Sequence, residues 1–426
     1  MKQLGTFGLG ALASALLLGT ACSKSVKPGA SIGEDSGSAE EASMMVWVPS
    51  AEDEALYEER FRVLLESFAA GAATTTYDTL GPVRGANPAD QALAVAKSGL
   101  DPDISAAIDA YARNNNSQAL IVMKDGEILH ETYFQGMDAG SLIVGKSLAK
   151  PLGVVAIGRA IADGKIESLD QPVSDFITEW KGTDRESILI RHLLQMRSGL
   201  LKQGPAPRLD NILNRAYLHP RHDEVIIHEY PLTDEPGSRY EYSNANAELV
   251  APVIERATGI QYEDWIADEI LIPIGAAGGE VWMNRPGGTA HSGCCVLLPA
   301  RSWLKLARLV LADGVWDGQR LLPEGFAEEM RTPTPHNPHT GMGVYVGQPY
   351  AEYRGYLNPD NEVGKTYHSE PYVDEDLILF DGNSNQVVYM VPSKELIVLR
   401  VGDNPPREAR WDNAYLPNTV SRALGQ

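Results

Sequence analysis

The sequence predicts an α/β protein of the α+β type, in which one antiparallel sheet is built from both ends of the folded body and a helical region is inserted between them. Three observations carry this. Residues 119–123 and 128–134 are apolar runs separated by Asp125-Gly126, a strong hairpin signal. From Leu148 to about Met330, apolar residues recur mainly at helical spacing. Residues 377–380, 387–391 and 396–401 then return as short apolar runs, the last two parted by the turn Pro392-Ser393-Lys394-Glu395. No internal repeat is present.

In chain order, residues 1–22 read as an export segment. Lys2 gives a small positive start, residues 9–18 are apolar, and Gly19-Thr20-Ala21 precede Cys22. An apolar run of about 10 residues is half of what a bilayer span needs. The small residues before Cys22 resemble a lipoprotein cleavage site, so Cys22 is the expected lipid attachment point of an exported, periplasmic, membrane-anchored protein. Gly19 stands where that pattern usually has leucine, and an ordinary signal peptide with a soluble product is the alternative reading. Residues 23–45 are rich in Ser, Gly, Ala and Glu and form a tether, because they cannot bury enough apolar surface to fold.

Residues 46–100 form an N-terminal extension. Leu56, Phe61, Leu64, Leu65 and Phe68 predict a helix over 52–68, and Gly/Pro/Thr texture predicts a loop over 74–88. Residues 101–146 together with 331–426 form the sheet part, opened by a helix over 104–111. Residues 147–330 form the mainly helical part, with helices over 148–163, 172–180, 190–196, 245–257, 262–270 and 303–312. Gly199, Gly259 and Gly314 lie where helix C-terminal glycines belong.

The 426 residues are 43% hydrophobic and 22% charged, as in a soluble globular protein, and exceed what one ordinary core usually spans. A net charge of -21 argues against nucleic-acid partners and against anionic membrane surfaces, which leaves the lipid at Cys22 as the expected membrane contact. Cys294 and Cys295 are read as two buried apolar thiols, because disulfide geometry disfavours adjacent positions. His219, His222, His228, His336 and His339 lie in Pro-containing loops without helical His-x-x-x-His spacing and read as solvent-exposed. No metal or other cofactor is expected.

The chemistry centres on Gly145-Lys146-Ser147-Leu148-Ala149-Lys150-Pro151. Ser147 and Lys150 are three residues apart, which puts hydroxyl and amine on one helical face. A serine hydroxyl is a poor nucleophile without a base, and a lysine serves as base where burial or another cation lowers its pKa. Pro151 fixes the helix start near Ser147, because a proline is tolerated only where the N–H is unpaired anyway. That location favours developing negative charge, and it equally suits a plain helix cap. Ser302 and Lys305 have the same spacing inside an amphipathic helix and show that spacing alone says little. Further on, Tyr242-Ser243-Asn244 opens another helix. A tyrosine beside a lysine can accept and return a proton. Asn244 offers an amide to a substrate, and its bland reading is an N-cap. Tyr356-Leu357-Asn358 repeats the Tyr-x-Asn pattern in a loop. Gly-x-Ser-x-Gly, which a classical α/β-hydrolase would need, is absent around Ser147 and Ser384.

These motifs, with residues 190–200, 236–244 and 381–392 in the same order, resemble the β-lactamase-related serine hydrolases over about 119–402. That family comprises class C β-lactamases, DD-peptidases and esterases, including the 6-aminohexanoate-dimer hydrolase type. The resemblance implies a β-lactamase/transpeptidase-like fold and an acyl-enzyme on Ser147, with Lys150 and Tyr242 handling protons and Asn244 lining the pocket. It also implies an oxyanion hole made by the N–H of Ser147 and another N–H on the strand Phe380-Asp381-Gly382. Which of Lys150 and Tyr242 is the acylation base stays open. Members that cleave β-lactams usually carry Lys-Thr-Gly on that strand, whereas this chain has no cation there and an aspartate instead. The expected substrate is therefore a small neutral or cationic ester or amide. A true β-lactamase or DD-peptidase and a non-catalytic penicillin-binding-like protein are the alternatives.

Overall fold

The computed structural model describes residues 47–69, 77–204, 206–355, 357–359, 365–406 and 409–425. The export segment, Cys22 and the tether lie outside the described residues. No described helix is long and apolar enough to cross a membrane.

Helix α1 (Ala51–Ala69) starts with Glu52, Asp53 and Glu54, which complement the positive helix end, and Ser50 Oγ accepts the Asp53 N–H at 3.1 Å. The loop expected over 74–88 instead contains β1 (Leu80–Val83), whose Gly81 and Pro82 mask the strand pattern. β2 (Ala94–Val95) follows. Helix α2 (Pro102–Asn114) is capped by Asp101, whose carboxylate accepts from the N–H groups of Asp103 and Ile104, with Pro102 at the first position. β3 (Ser117–Lys124) and β4 (Glu127–Tyr133) form the expected hairpin, with Asp125 and Gly126 at φ 52° and 78° as a tight turn of this hand requires.

β5 (Ile143–Val144) leads into the turn that carries Ser147 and then α3 (Ala149–Ala162). The helical region continues with α4 (Ile190–Leu194), α5 (Ile212–Leu218), α6 (His222–His228), α7 (Asn244–Glu248), α8 (Val250–Thr258) and α9 (Tyr262–Ile266). Residues 172–180 make two separate 3₁₀ turns, because Ile177 between them is extended at ψ 77°. The helix expected over 245–257 is divided for a visible reason. Pro252 cannot donate to the Glu248 carbonyl, and the Ser292 hydroxyl enters the ladder, accepting from the Ala251 N–H at 3.1 Å and donating to the Ala247 carbonyl at 2.7 Å. Beyond lie β6 (Gly279–Trp282), β7 (Val296–Leu298), α10 (Ala300–Leu311), β8 (Val315–Trp316), β9 (Gln319–Arg320) and α11 (Phe326–Arg331). The last third supplies β10 (Tyr345–Val346), β11 (Tyr353–Gly355), β12 (Lys365–Tyr367), β13 (Ile378–Gly382), β14 (Gln386–Val391), β15 (Leu396–Gly402) and α12 (Tyr415–Ala423).

The main sheet has the order β10-β13-β14-β15-β3-β4-β2 and is antiparallel except for the β2–β4 pair. β15 pairs with β3, Val398 opposite Val122, so the two distant parts of the chain meet at the sheet centre as the sequence predicts. Leu120, Val122, Tyr389 and Val398 share one core with Ile108 of α2 and Leu416 and Val420 of α12. Alternate residues such as Ile121, Val388 and Leu399 face the other way, where α10 lies against β14 and β15. The fully buried Arg400 of β15 donates to the carbonyls of Ser384, Asn385, Asn115 and Asp403 and to Ser117 Oγ, at 2.6 to 2.9 Å. It thereby fixes the turn after β13, where Ser384 and Asn385 both have positive φ. A second sheet, β1-β6-β7-β5, carries the approach to Ser147.

Candidate active site

Ser147 follows β5 through a backbone that leaves little freedom. Gly145 donates to the Val296 carbonyl at 2.8 Å, and a Cβ on Gly145 would fall 2.4 Å from the Trp303 ring, so only glycine fits. Lys146 then takes φ 52°, a left-handed conformation that costs a non-glycine residue about 1 to 3 kcal/mol and that the surrounding packing must impose. Burial also pulls the Lys146 amine down to about 8. Residues Lys146–Leu148 form a 3₁₀ turn that runs straight into α3, with Pro151 in its first turn. The helix start therefore agrees with the sequence reading.

Lys150 is 7% exposed, and its Nζ donates to Ser147 Oγ at 3.1 Å and to the Gly293 carbonyl at 2.7 Å. The Tyr242 hydroxyl lies 3.0 Å from the same Ser147 Oγ, and its ring centroid is 5.1 Å from Lys150 Nζ. Tyr242 is held in an extended segment. Its N–H donates to the Leu357 carbonyl at 3.0 Å, its carbonyl accepts from Gln203 at 2.7 Å, and the preceding Glu241 N–H donates to the Met196 carbonyl at 2.9 Å. The loop that carries the Tyr-x-Asn decoy thus serves the site as a brace, with Asn358 donating to the Tyr240 carbonyl at 3.0 Å. Ser302 and Lys305 are structural, donating to the carbonyls of Ala277 and Gly275 respectively.

Ser147, Lys150, Tyr242 and Asp381 line one cleft, and Leu194, Met196, Tyr240, Thr340, Gly341, Gly343, Val344 and Tyr345 complete it. Gly382 ends β13 against the turn that carries Ser147, where an added Cβ would lie 3.2 Å from the Ser147 nitrogen. Phe380 is fully buried in the sheet and Asn244 begins α7, and neither side chain is among the cleft residues. Ser243, rather than Asn244, occupies the N-cap position of α7.

Three sequence readings need correction. The aspartate on β13 is not an isolated anion: Arg354 of β11, 4% exposed at its side chain, donates to Asp381 Oδ2 at 2.5 Å and lies 4.0 Å over the Tyr345 ring. Burial still raises the Asp381 carboxyl above its usual value, with Arg354 opposing it. Cys294 and Cys295 are not free thiols but are joined to one another by a disulfide. His219 and His222 are fully buried: His219 faces Glu54 of α1, and His222, at the start of α6, stacks on His291 beside Glu248.

Among the described residues, the grouping nearest to a metal site is His222, Glu248 and His291. His222 Nε2 and His291 Nδ1 each stand 3.5 Å from Glu248 Oε2. The two imidazoles are stacked, with centroids 4.0 Å apart and planes 12° from parallel. An imidazole nitrogen binds a metal along its in-plane lone pair. Two nearly parallel planes share no such point, so the trio as placed is a buried polar cluster rather than a coordination shell.

A profile of the family described as Beta-lactamase matches residues 104–415. The 6-aminohexanoate-dimer hydrolase of Paenarthrobacter ureafaciens is 23% identical over 323 residues, covering 72% of this chain and 79% of that protein. A Bacillus anthracis protein provisionally named as a 6-aminohexanoate-dimer hydrolase has a TM-score of 0.64 at 17% identity, covering 88% of this chain and 98% of the other. A penicillin-binding protein from Bacillus halodurans has a TM-score of 0.51 at 17% identity, covering 75% of this chain and 99% of the other. At these identities the solved structures establish a shared fold.

Proposed function

The chain belongs to the β-lactamase family, and from that premise we propose that it cleaves ester or amide bonds through an acyl-enzyme on Ser147. One observation carries the reading: Ser147 Oγ lies within hydrogen-bond reach of both Lys150 Nζ and the Tyr242 hydroxyl in a narrow cleft. Ser147 Oγ attacks the substrate carbonyl, and its proton passes into the Lys150–Tyr242 pair. The same pair returns the proton to the departing alcohol or amine, and water then repeats the sequence to free the acid. The N–H of Ser147 and one on β13 receive the developing oxyanion.

The charge pattern supports small ester or amide substrates over those that need a carboxylate clamp. Among the described cleft residues Lys150 is the cation, and Arg354 is engaged by Asp381. The similarity to a protein named for an amide dimer supports including amides. An activity panel of short p-nitrophenyl esters, nitrocefin and D-amino-acid amides tests this, with Ser147→Ala as the blank. A fluorophosphonate probe should leave its adduct on the Ser147 peptide; turnover or labelling that persists in Ser147→Ala would refute the mechanism. Export with lipid attachment at Cys22 belongs to the same reading, and Cys22→Ser should release the protein from membranes.

A further inference from the structure

Two backbone carbonyls hold the catalytic pair from one short stretch of chain. The Gly293 carbonyl accepts from Lys150 Nζ at 2.7 Å, and the Val296 carbonyl accepts from the Gly145 N–H, two residues before Ser147, at 2.8 Å. The only residues between these carbonyls are Cys294 and Cys295, and they are bridged to each other. Cys295 has φ 65°, so the chain turns sharply between the two contacts.

The stretch is fixed at both ends. On one side Gly293 abuts Glu248, where an added Cβ would fall 2.8 Å from Oε1. On the other, Val296 begins β7 and pairs with Val281 of β6. The Cys295 side chain joins Tyr57, Phe61 and Trp282 in a buried cluster, whereas Cys294 is half-buried. We infer that the Cys294–Cys295 bridge is a positioning element of the active site and a site of reversible reduction, which sets the separation of the carbonyls that hold Lys150 and the Ser147 turn. This rests on the reading of Ser147 and Lys150 as the catalytic pair.

The redox step needs an external dithiol. Its thiolate attacks the more accessible Cys294 Sγ, breaking the Cys294–Cys295 bond and giving a mixed disulfide while Cys295 leaves as thiolate. The Tyr217 hydroxyl lies against both sulfurs, 3.6 Å from Cys295 Sγ and 3.9 Å from Cys294 Sγ. The second thiol of the reductant then closes its own disulfide and releases Cys294. Two electrons and two protons pass to the protein, and the dithiol is oxidised. Without the bridge the turn at Cys295 relaxes, and a displacement of about 1 Å at a catalytic contact is enough to cost on the order of 10²-fold in rate.

The test compares air-oxidised protein with protein reduced by dithiothreitol under native conditions, using a short p-nitrophenyl ester. Alkylation and mass spectrometry of the 294–295 peptide report the redox state, and circular dichroism reports the fold. Reduction should lower kcat by about 10- to 100-fold with KM within about threefold. It should also displace the pH–rate profile, which a loss of folded protein alone would not do. Activity should return on reoxidation. The C294S/C295S double variant should match the reduced enzyme and ignore dithiothreitol. Fully alkylated, folded protein with unchanged kcat and pH profile would overturn the inference while leaving the hydrolase reading intact. Oxidised protein inactive on the whole ester and amide panel would instead overturn the hydrolase reading on which it rests.

Discussion

The Tyr242 hydroxyl and Ser147 Oγ are 3.0 Å apart, although 95 residues separate them in the chain. Lys150 Nζ reaches the same oxygen from 3.1 Å, so two groups able to move a proton meet at one serine hydroxyl. Tyr242→Phe keeps the ring beside Lys150 Nζ and removes only the hydroxyl. Loss of a positioned acid–base group typically costs about 10² to 10⁴ in rate. Steady-state kinetics on a short p-nitrophenyl ester should show that loss in kcat with little change in KM, and thermal unfolding should move by no more than a few degrees. A kcat within threefold of the parent enzyme would remove Tyr242 from the mechanism.

Gly382 tests the oxyanion site from the backbone side. The methyl group of Gly382→Ala would lie 3.2 Å from both the Ser147 nitrogen and the Gly145 carbonyl oxygen, tighter than ordinary contact. The N–H that should receive the oxyanion is the one crowded. Losing an oxyanion donor costs about 10² to 10³ in rate, and overpacking costs about 1 to 3 kcal/mol in stability. The expected result is a fall in kcat/KM of at least tenfold with a modest drop in denaturant midpoint. An unchanged kcat/KM would place the oxyanion elsewhere.

Arg354 and Asp381 form a buried ion pair at the edge of the cleft, and removing one partner strands the other. Arg354→Met should destabilise the protein by about 3 to 5 kcal/mol in urea unfolding, the usual result of leaving a buried charge alone. Adding Asp381→Asn to Arg354→Met should recover much of that loss, because the uncompensated anion is then gone. If the double variant were as unstable as the single one, the cost would lie in packing against Tyr345 rather than in charge.

The parts of this protein legible in the sequence are those written locally. Asp125-Gly126 and Pro392–Glu395 sit between apolar runs and specify their turns without help from distant residues. The same holds for Ser147 with Lys150, whose spacing and Pro151 place Ser147 on the 3₁₀ turn that enters α3 and Lys150 on the first turn of α3. β1, β6, β7 and β10–β12 escaped notice because strands of two to four residues are too short to carry a period, and glycine in β1, β6 and β11 masks them further. Arg354 was invisible as a site neighbour, since it lies 27 positions before Asp381 in the chain and on a separate two-stranded sheet, β11-β12. The histidines misled for the same reason: their segment looks solvated until Glu54 of α1 meets His219 and His291 stacks on His222. The Cys294–Cys295 bridge depends on a left-handed turn at Cys295 that no sequence rule anticipates.

Those buried histidines set a pH limit on the fold. His219, His291 and His368 are each 4% exposed or less, and burial pulls each from 6.5 to about 4. Above about pH 7 the three are neutral in folded and unfolded protein alike, so they impose no pH slope. As pH falls below 6.5 the unfolded chain takes up protons that the folded protein refuses, and the unfolded state gains free energy from doing so. The stability present above pH 6.5 is therefore lost progressively until the folded groups titrate near pH 4. For a fully buried imidazole a shift of this size amounts to about 3 kcal/mol, net of the opposing pull of carboxylates such as Glu248 beside His291. Urea unfolding between pH 8 and pH 4 should show a plateau above pH 7 and a steep decline below it. His368→Gln should flatten that decline, since an uncharged amide does not titrate. A stability that holds level down to pH 5, or a decline unaltered in His368→Gln and in a matching His219→Gln, would show that acid unfolding is driven by the carboxylates.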